Sequence, residues 1–304
     1  MSLYQKYRPR TLERLRGNAD LVKTLKGLLE KGNSPHCFLF HGPTGCGKTT
    51  LARILAYKLG CSGIDVREIN TADMRGIDTV RDLIQKSQFM PVESAGTFWI
   101  IDECHKLTND AQNALLKILE DTPEHVYFAL CTTDPQKLLT TIKGRCSQFQ
   151  VKPLSEDDMR GLLRHVVKRE EDELEDNVYD IIVRDSMGLP RNALQILEQV
   201  LNAPVEDRPT VAEHAEFEYA QAIELCRALM KKAPWKVVAS TLRGLKEQEA
   251  ETIRRIVLGY CQAILLSGKD EYLAGVVMEE FINPFYDSGF PQLVYACYSI
   301  IKTK

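Results

Sequence analysis

Two hydrophobic periods alternate along the first half of the chain. Short continuous apolar runs, Cys37-Phe38-Leu39-Phe40, Thr97-Phe98-Trp99-Ile100-Ile101 and Val126-Tyr127-Phe128-Ala129-Leu130-Cys131, read as buried parallel strands. Shorter strands are expected at Asp65 to Asn70 and near Phe149 to Val151. Between them, apolar residues recur at helical spacing. One helix carries Leu51, Ile54, Leu55 and Leu59 and stops at Gly60; another runs through Val80, Leu83 and Ile84. A third starts at Asn109-Asp110, turns Ala114, Leu115, Ile118 and Leu119 inward, and ends at Thr122-Pro123. Before the second of these, Gly76 marks a turn and Asp78 is the expected cap. A helix from Ala19 to Lys31, with Leu21, Leu25, Leu28 and Leu29, precedes the first strand. Strands and helices in this order predict a doubly wound parallel sheet over residues 1–152.

Beyond residue 152 the strand pattern stops. Ser155-Glu156-Asp157-Asp158 caps a helix, with acids at its positive end. Glu170 to Glu173 reads as a charged, solvated turn, and Gly188-Leu189-Pro190-Arg191 opens a helix with Ala193, Leu194, Leu197 and Val200 inward. Residues 153–204 are therefore expected to form a small three-helix domain, with Pro204 to Pro209 as linker. Residues 205–304 read as helices throughout: Ala222 to Met230, Trp235 to Leu245, Glu249 to Ser267, Tyr272 to Phe281, and one after Pro291. Such an all-helical domain without site motifs is expected to serve packing or oligomerisation.

Composition narrows the function classes. The net charge of −3 over 304 residues excludes a uniformly basic nucleic-acid binder but leaves room for a local basic stripe. Nine cysteines, none spaced C-x-x-C, read as reduced core thiols of a cytosolic protein, with no zinc site. No apolar run approaches the ~18 residues of a membrane span, and the first residues lack an export signal. A cytoplasmic chain without a membrane partner is expected.

The chemistry concentrates in Gly42-Pro43-Thr44-Gly45-Cys46-Gly47-Lys48-Thr49, followed by Thr50. A strand before it and a helix after it supply the context of a phosphate-binding loop. Glycines let successive N–H groups turn inward on phosphate oxygens, and the helix adds its N-terminal dipole. Lys48 is placed to reach the β- and γ-phosphates, and the Thr49 hydroxyl to hold Mg²⁺. This predicts binding of a nucleoside triphosphate. About 55 residues on, the strand Thr97 to Ile101 delivers Asp102 and Glu103 to its carboxyl end. Asp102 would coordinate Mg²⁺ directly or through water, and Glu103 would polarise the attacking water. Thr132-Thr133 ends the next strand, either as hydroxyls beside a γ-phosphate or as a cap for Asp134-Pro135 onward. Near the start, Tyr7-Arg8-Pro9 pairs an aromatic ring with a cation on a fixed turn; it reads as a lid over a purine base or as a solvated basic arm.

Taken together these motifs resemble the AAA+ clamp-loader ATPases over essentially the whole chain. Lys6-Tyr7-Arg8-Pro9 looks like their N-terminal K-Y-R-P element. Asn70 to Arg81 is similar to replication factor C small subunits, and Thr132 to Phe149 to the bacterial gamma/tau subunit. That mixture also fits a phage source. The resemblance implies a P-loop AAA+ core, a lid and a helical collar. It implies that Thr133 is sensor 1, that Arg191 is the sensor 2 arginine, and that Arg145 is an arginine finger reaching a neighbour's nucleotide. It implies ATP and Mg²⁺ as ligands, and a ring of about five subunits. The sliding clamp and primer–template DNA are the implied partners, with Arg75, Arg81 and Lys106 touching phosphates near the helices at 76–87 and 108–120.

Two departures stand out: Gly144 replaces the family's serine, and the zinc-binding insertion expected between residues 60 and 66 is missing. Asp102-Glu103-Cys104-His105 also occurs in helicases, but the helical tail cannot supply a second RecA-like domain. The rival readings are another AAA+ DNA motor, of branch-migration or initiator type, and an inert loader scaffold.

Overall fold

A computed structural model of the chain describes residues 1–30, 34–71, 74, 76–215, 220–246, 248–267, 271–285 and 288–302. Five strands, β1 (Cys37–His41), β2 (Val66–Asn70), β3 (Thr97–Asp102), β4 (Val126–Thr132) and β5 (Ser147–Gln150), lie in the order β2-β3-β4-β1-β5. Every pairing is parallel. Continuous apolar runs form β1, β3 and β4 because both faces of those strands are covered. On one face Leu39, Trp99, Ile101, Phe128 and Leu130 pack with Val80 and Leu83 of α4 (Ile77–Lys86) and Leu115 and Ile118 of α5 (Asn109–Glu120). Phe38 and Phe40 alternate to the other face, where α3 (Lys48–Lys58) crosses β1, β3 and β4. Each fully enclosed Phe contributes about 1.5–3 kcal/mol of transfer free energy, so this two-sided core fixes the strand ends.

The remaining helices before residue 205 are α1 (Leu3–Lys6), α2 (Ala19–Glu30), α6 (Thr140–Arg145), α7 (Glu156–Arg169), α8 (Asp176–Ser186) and α9 (Pro190–Leu201). The chain divides into two compact units, residues 1–179 with 188–198, and residues 180–187 with 199–304. The second holds α10 (Arg208–His214), α11 (Ala220–Met230), α12 (Trp235–Gly244), α13 (Ala250–Ser267), α14 (Glu271–Phe281) and α15 (Gly289–Lys302). Leu225, Leu229, Val257, Phe281 and Phe285 lie at its centre. Its buried Glu251 is paired: it takes two hydrogen bonds from Arg254, at 2.7 and 2.8 Å, and one from Phe285 N–H at 2.9 Å. That degree of satisfaction is what a buried ion pair requires. All nine cysteines are buried and free, and burial pushes thiols such as Cys104, Cys131 and Cys226 well up, as inert core groups. Among the described residues no helix is long and apolar enough to cross a membrane.

Several local expectations change. The stretch Pro204 to Pro209 is not open linker: it forms a helical turn, Val205–Asp207, and then the first turn of α10, where Pro209 is tolerated. Gly76, not Asp78, occupies the N-cap of α4; Asp78 sits in the first turn and pairs with Arg81. Ser155 does cap α7, its Oγ accepting from Asp158 N–H at 3.2 Å. Asp65 is not a strand residue. It ends a short turn, Gly63–Asp65, and its enclosed carboxylate accepts from the N–H groups of Val92, Glu93 and Ser94 and from the Ser94 hydroxyl, all at 2.8–2.9 Å. This fixes the segment leading into β3.

Burial alone would raise the Asp65 carboxyl, but those donors outweigh it and hold it below the ordinary aspartate range. Its stabilisation is thus present above the unfolded aspartate pKa and lost as pH falls through the depressed folded value. Asp65→Asn is expected to cost about 1–3 kcal/mol in urea denaturation at neutral pH. The gap from wild type should close in acid, where the native side chain also becomes neutral.

Candidate functional site

The loop after β1 is shaped by backbone that only glycine adopts readily. Gly42, Gly45 and Gly47 have φ of 152°, 77° and 104°. A Cβ on Gly42 would lie 2.1 Å from the Val151 carbonyl oxygen, so that position admits no side chain. Gly42 N–H donates to Thr132 O at 3.2 Å, tying the loop to the end of β4. Gly47 is the N-cap of α3, which starts at Lys48 and presents its unpaired N–H groups and positive dipole end. Lys48 is nearly enclosed, and its ammonium donates to the carbonyls of Gly42 and Pro43, each at 2.9 Å. Cys46 is buried beneath the loop, while Thr44 and Thr50 remain partly exposed. A glycine cradle closed over a helix N-terminus and a lysine fits a polyphosphate.

The sheet register brings the acidic residues to the same edge. His41 pairs with Thr132 and Ile101 with Leu130, so β1, β3 and β4 end within a residue of one another. Thr49 Oγ1 donates to Asp102 Oδ2 at 2.7 Å. A hydroxyl and a carboxylate side by side form the hard oxygen pair that suits Mg²⁺. Glu103 follows in the left-handed region, φ 52°, a costly conformation for a non-glycine residue. Two contacts hold it there. Its N–H donates to Asp102 Oδ1 at 3.0 Å, and the fully buried Thr71 hydroxyl bridges the carbonyls of Asp102 (3.0 Å) and Glu103 (2.6 Å).

The Glu103 carboxylate meets Thr133, whose Oγ1 donates to Oε2 at 3.3 Å. Thr132 is not the cap foreseen for the pair: Asp134 caps the turn Pro135–Lys137, accepting from Gln136 N–H at 3.2 Å, while the Thr132 hydroxyl accepts from Asp134 N–H at 3.0 Å. His105 Nδ1 lies 3.3 Å from Glu103 Oε2 and 3.0 Å from Thr132 Oγ1. Burial lowers the His105 pKa against the pull of Glu103.

On the other side of the loop, Arg191 packs its Cβ 3.3 Å from where a Gly45 Cβ would stand, and its guanidinium lies 5.9 Å from the Tyr4 ring centroid. Neighbouring Asn192 is buried, and its amide finds no hydrogen-bond partner among the described residues. An orphan of this kind beside a phosphate loop is itself a mark of a ligand site. Tyr7 donates its hydroxyl to Glu170, which also receives Lys6 at 2.7 Å. Glu170 is therefore no idle solvated charge but the anchor of the N-terminal segment. Arg8 is half-buried and Pro9 partly so; burial and the nearby Arg53 disfavour the Arg8 charge.

The remaining residues lie apart. Arg145 ends α6, two residues before β5 begins at the amino edge of the sheet, where Phe38 pairs with Ser147. The depth of the sheet, ~15 Å, separates it from its own phosphate loop. There it donates to Thr141 O at 2.9 Å and pairs with Glu120. Lys106 is exposed just before α5. Arg81 is exposed on α4, in a 3.2 Å pair with Asp78. Arg75 lies outside the described residues. Sequence reasoning missed Thr71, His105 and Glu170. Only His105, beside the two acids, carried a signal in the sequence; the other two acquire partners through the fold.

A family model described as DNA polymerase III, delta subunit, matches residues 64–155. The DNA polymerase III subunit gamma/tau of Mycobacterium tuberculosis is 35% identical over 233 residues, covering 69% of this chain and 40% of the relative. Subunit tau of Escherichia coli is 32% identical over 261 residues, covering 78% and 41%. The chain thus spans about 40% of the length of these relatives. Among solved structures, a Thermotoga maritima RuvB variant superimposes with TM-score 0.65 at 19% identity, covering 86% of this chain and 91% of that one. A second, the RuvB Holliday junction branch migration motor, gives 0.61 at 19% identity over 78% and 85%. At that identity RuvB establishes the fold alone, an AAA+ sheet with helices, and does not favour a branch-migration motor. The sequence kinship decides between the relatives: over 69% and 78% of its length the chain is similar to the gamma/tau and tau subunits of DNA polymerase III.

Proposed function

We propose that the chain is an ATP-hydrolysing subunit of a sliding-clamp loader, and that it works in a ring with other loader subunits. The observation that carries the catalytic part is the 2.7 Å contact between Thr49 and Asp102 at the mouth of the glycine loop, with Lys48 on one side and Glu103 on the other. The loop N–H groups and Lys48 bind the phosphates. Lys48 exchanges the carbonyls of Gly42 and Pro43 for phosphate oxygens. Thr49 and Asp102 would hold Mg²⁺, which neutralises charge between the β- and γ-phosphates when bound. Glu103 takes the proton of the attacking water. Thr133 and Arg191 read the γ-phosphate, and Tyr7, Arg8 and Pro9 border the base. An intact set of this kind argues against an inert scaffold.

Arg145 stands at the opposite sheet edge from Lys48, so its guanidinium serves a neighbouring copy or subunit rather than its own nucleotide. Fingers of this type accelerate phosphoryl transfer about 10³–10⁵-fold. In the isolated chain the finger is held by Glu120, and docking of a neighbour's nucleotide would displace that exposed pair at small cost. Arg75, Arg81 and Lys106 would meet primer–template DNA through phosphates, a salt-dependent contact blind to sequence. Phe89, Met90 and Val92 stand 63%, 70% and 71% exposed on the turn that Asp65 fixes. So large an apolar surface on an ordered turn is suited to a protein partner.

Two outcomes test this reading. Glu103→Gln should bind ATP as tightly as wild type while turnover falls at least a hundredfold, measured by equilibrium binding and phosphate release, whereas Lys48→Ala should lose binding itself. Arg145→Ala should abolish the ATPase of the assembly stimulated by clamp and primed DNA. Mixing with wild type should restore those sites whose finger comes from a normal subunit; a loss confined to the mutant chain's own site would overturn action in trans.

A further inference from the structure

Three of the five buried side-chain polar atoms left without a hydrogen bond among the described residues sit on one turn of α9. Both amide atoms of Asn192 are unpartnered, and so is Oε1 of Gln195, three residues on and along the same helix face. Burying an amide unpaired is costly, and natural folds leave few such groups. Two of them one turn apart point to a ligand rather than to a lapse in packing. Asn192 is only 1% exposed, and its Oδ1 lies 4.0 Å from where a Gly45 Cβ would stand. Arg191 N–H donates to Gly45 O at 3.5 Å, so the first turn of α9 rests on the phosphate loop through a long bond.

The layout of the loop says which part of a nucleotide comes here. Thr49, Asp102 and Glu103 stand together at the mouth, where a γ-phosphate would end. Gly45 is on the other side, where Arg191 approaches the Tyr4 ring and the Arg8 charge. A nucleotide laid along the loop turns its base toward Tyr4 and α9. Arg191 has the reach to turn back to a phosphate; Asn192, with its short side chain, stays beside Gly45.

We propose that Asn192 reads the base: its amide N–H donates to N7 of adenine, and its Oδ1 accepts from the N6 amino group. This rests on the reading of the loop as an ATP site. An amide sets a donor beside an acceptor, and adenine presents the matching pair on its N6/N7 edge. Guanine presents two acceptors there, O6 and N7, so one of them meets Oδ1 whichever way the amide is turned. The enclosure of Asn192 has a parallel in Lys48, which is 5% exposed and holds loop carbonyls until a phosphate takes it. The long bond from Arg191 to Gly45 yields as the base enters.

Equilibrium binding to the full chain tests this, with ATP, GTP and 7-deaza-ATP, in which carbon replaces N7. Wild type should bind ATP about 10- to 100-fold more tightly than GTP, and about 5- to 10-fold more tightly than 7-deaza-ATP. Leucine has the branching of asparagine without its polar atoms. Asn192→Leu should bind all three within about threefold of one another. Because it removes an unpaired amide, it should also melt at or above the wild-type temperature without nucleotide. Wild type indifferent to the loss of N7, an Asn192→Leu chain that keeps the wild-type preferences, or one that melts below wild type would each overturn the proposal. Lys48→Ala measured alongside keeps the two readings apart. If that variant binds ATP as wild type does, the phosphate-loop assignment fails. If it loses ATP while Asn192→Leu keeps its preferences, only the base contact fails.

Discussion

The hydrogen bond from Thr49 to Asp102 joins the first turn of the helix after β1 to the tip of β3, two strands that do not touch. β4 lies between them, and its last residue, Thr132, is tied to Gly42 on one side and His105 on the other. Three strand ends are thereby locked into one edge. Their common level follows from parallel register, and the register from apolar residues that must face both helical layers. A one-residue slip of β3 would turn Asp102 away from Thr49 and send Trp99 and Ile101 to the wrong face. Core packing and site geometry are the same constraint seen from two ends.

Strain is placed where the chemistry is. Glu103 occupies a left-handed backbone conformation that a glutamate would not choose, at a cost of order 1–3 kcal/mol. Thr71 offsets that cost by donating into two successive carbonyls from the end of the neighbouring strand. The sharp turn this permits lets adjacent residues do unlike things: Asp102 meets Thr49, while Glu103 swings toward Thr133 and His105. Without the turn, successive side chains on a strand would point to opposite faces of the sheet.

Arg145 shows the limit of a single chain. α6 and β5 set it at the amino edge, while the glycine loop, Thr49, Asp102 and Glu103 lie at the carboxyl edge. No rotamer of one arginine spans the sheet. At that amino edge its partner is Glu120, an exposed pair of the kind that contributes little to stability.

The phosphate loop, the acidic pair and the parallel sheet were legible in the sequence because each depends on short-range pattern: glycine spacing, apolar runs and the residue after a strand. Cap chemistry such as Ser155 was equally local. What the tertiary structure decided were the contacts made across long stretches of chain. Thr71 gains its meaning from Asp102, Tyr7 from Glu170, and Asp65 from a turn that follows a whole helix. The division of labour between Thr132 and Thr133 likewise depended on what stood opposite each hydroxyl. Hydrophobic period fixes which face a residue takes, but a hydrogen bond depends on a partner's position to within a fraction of an ångström, and only the folded sheet supplies that.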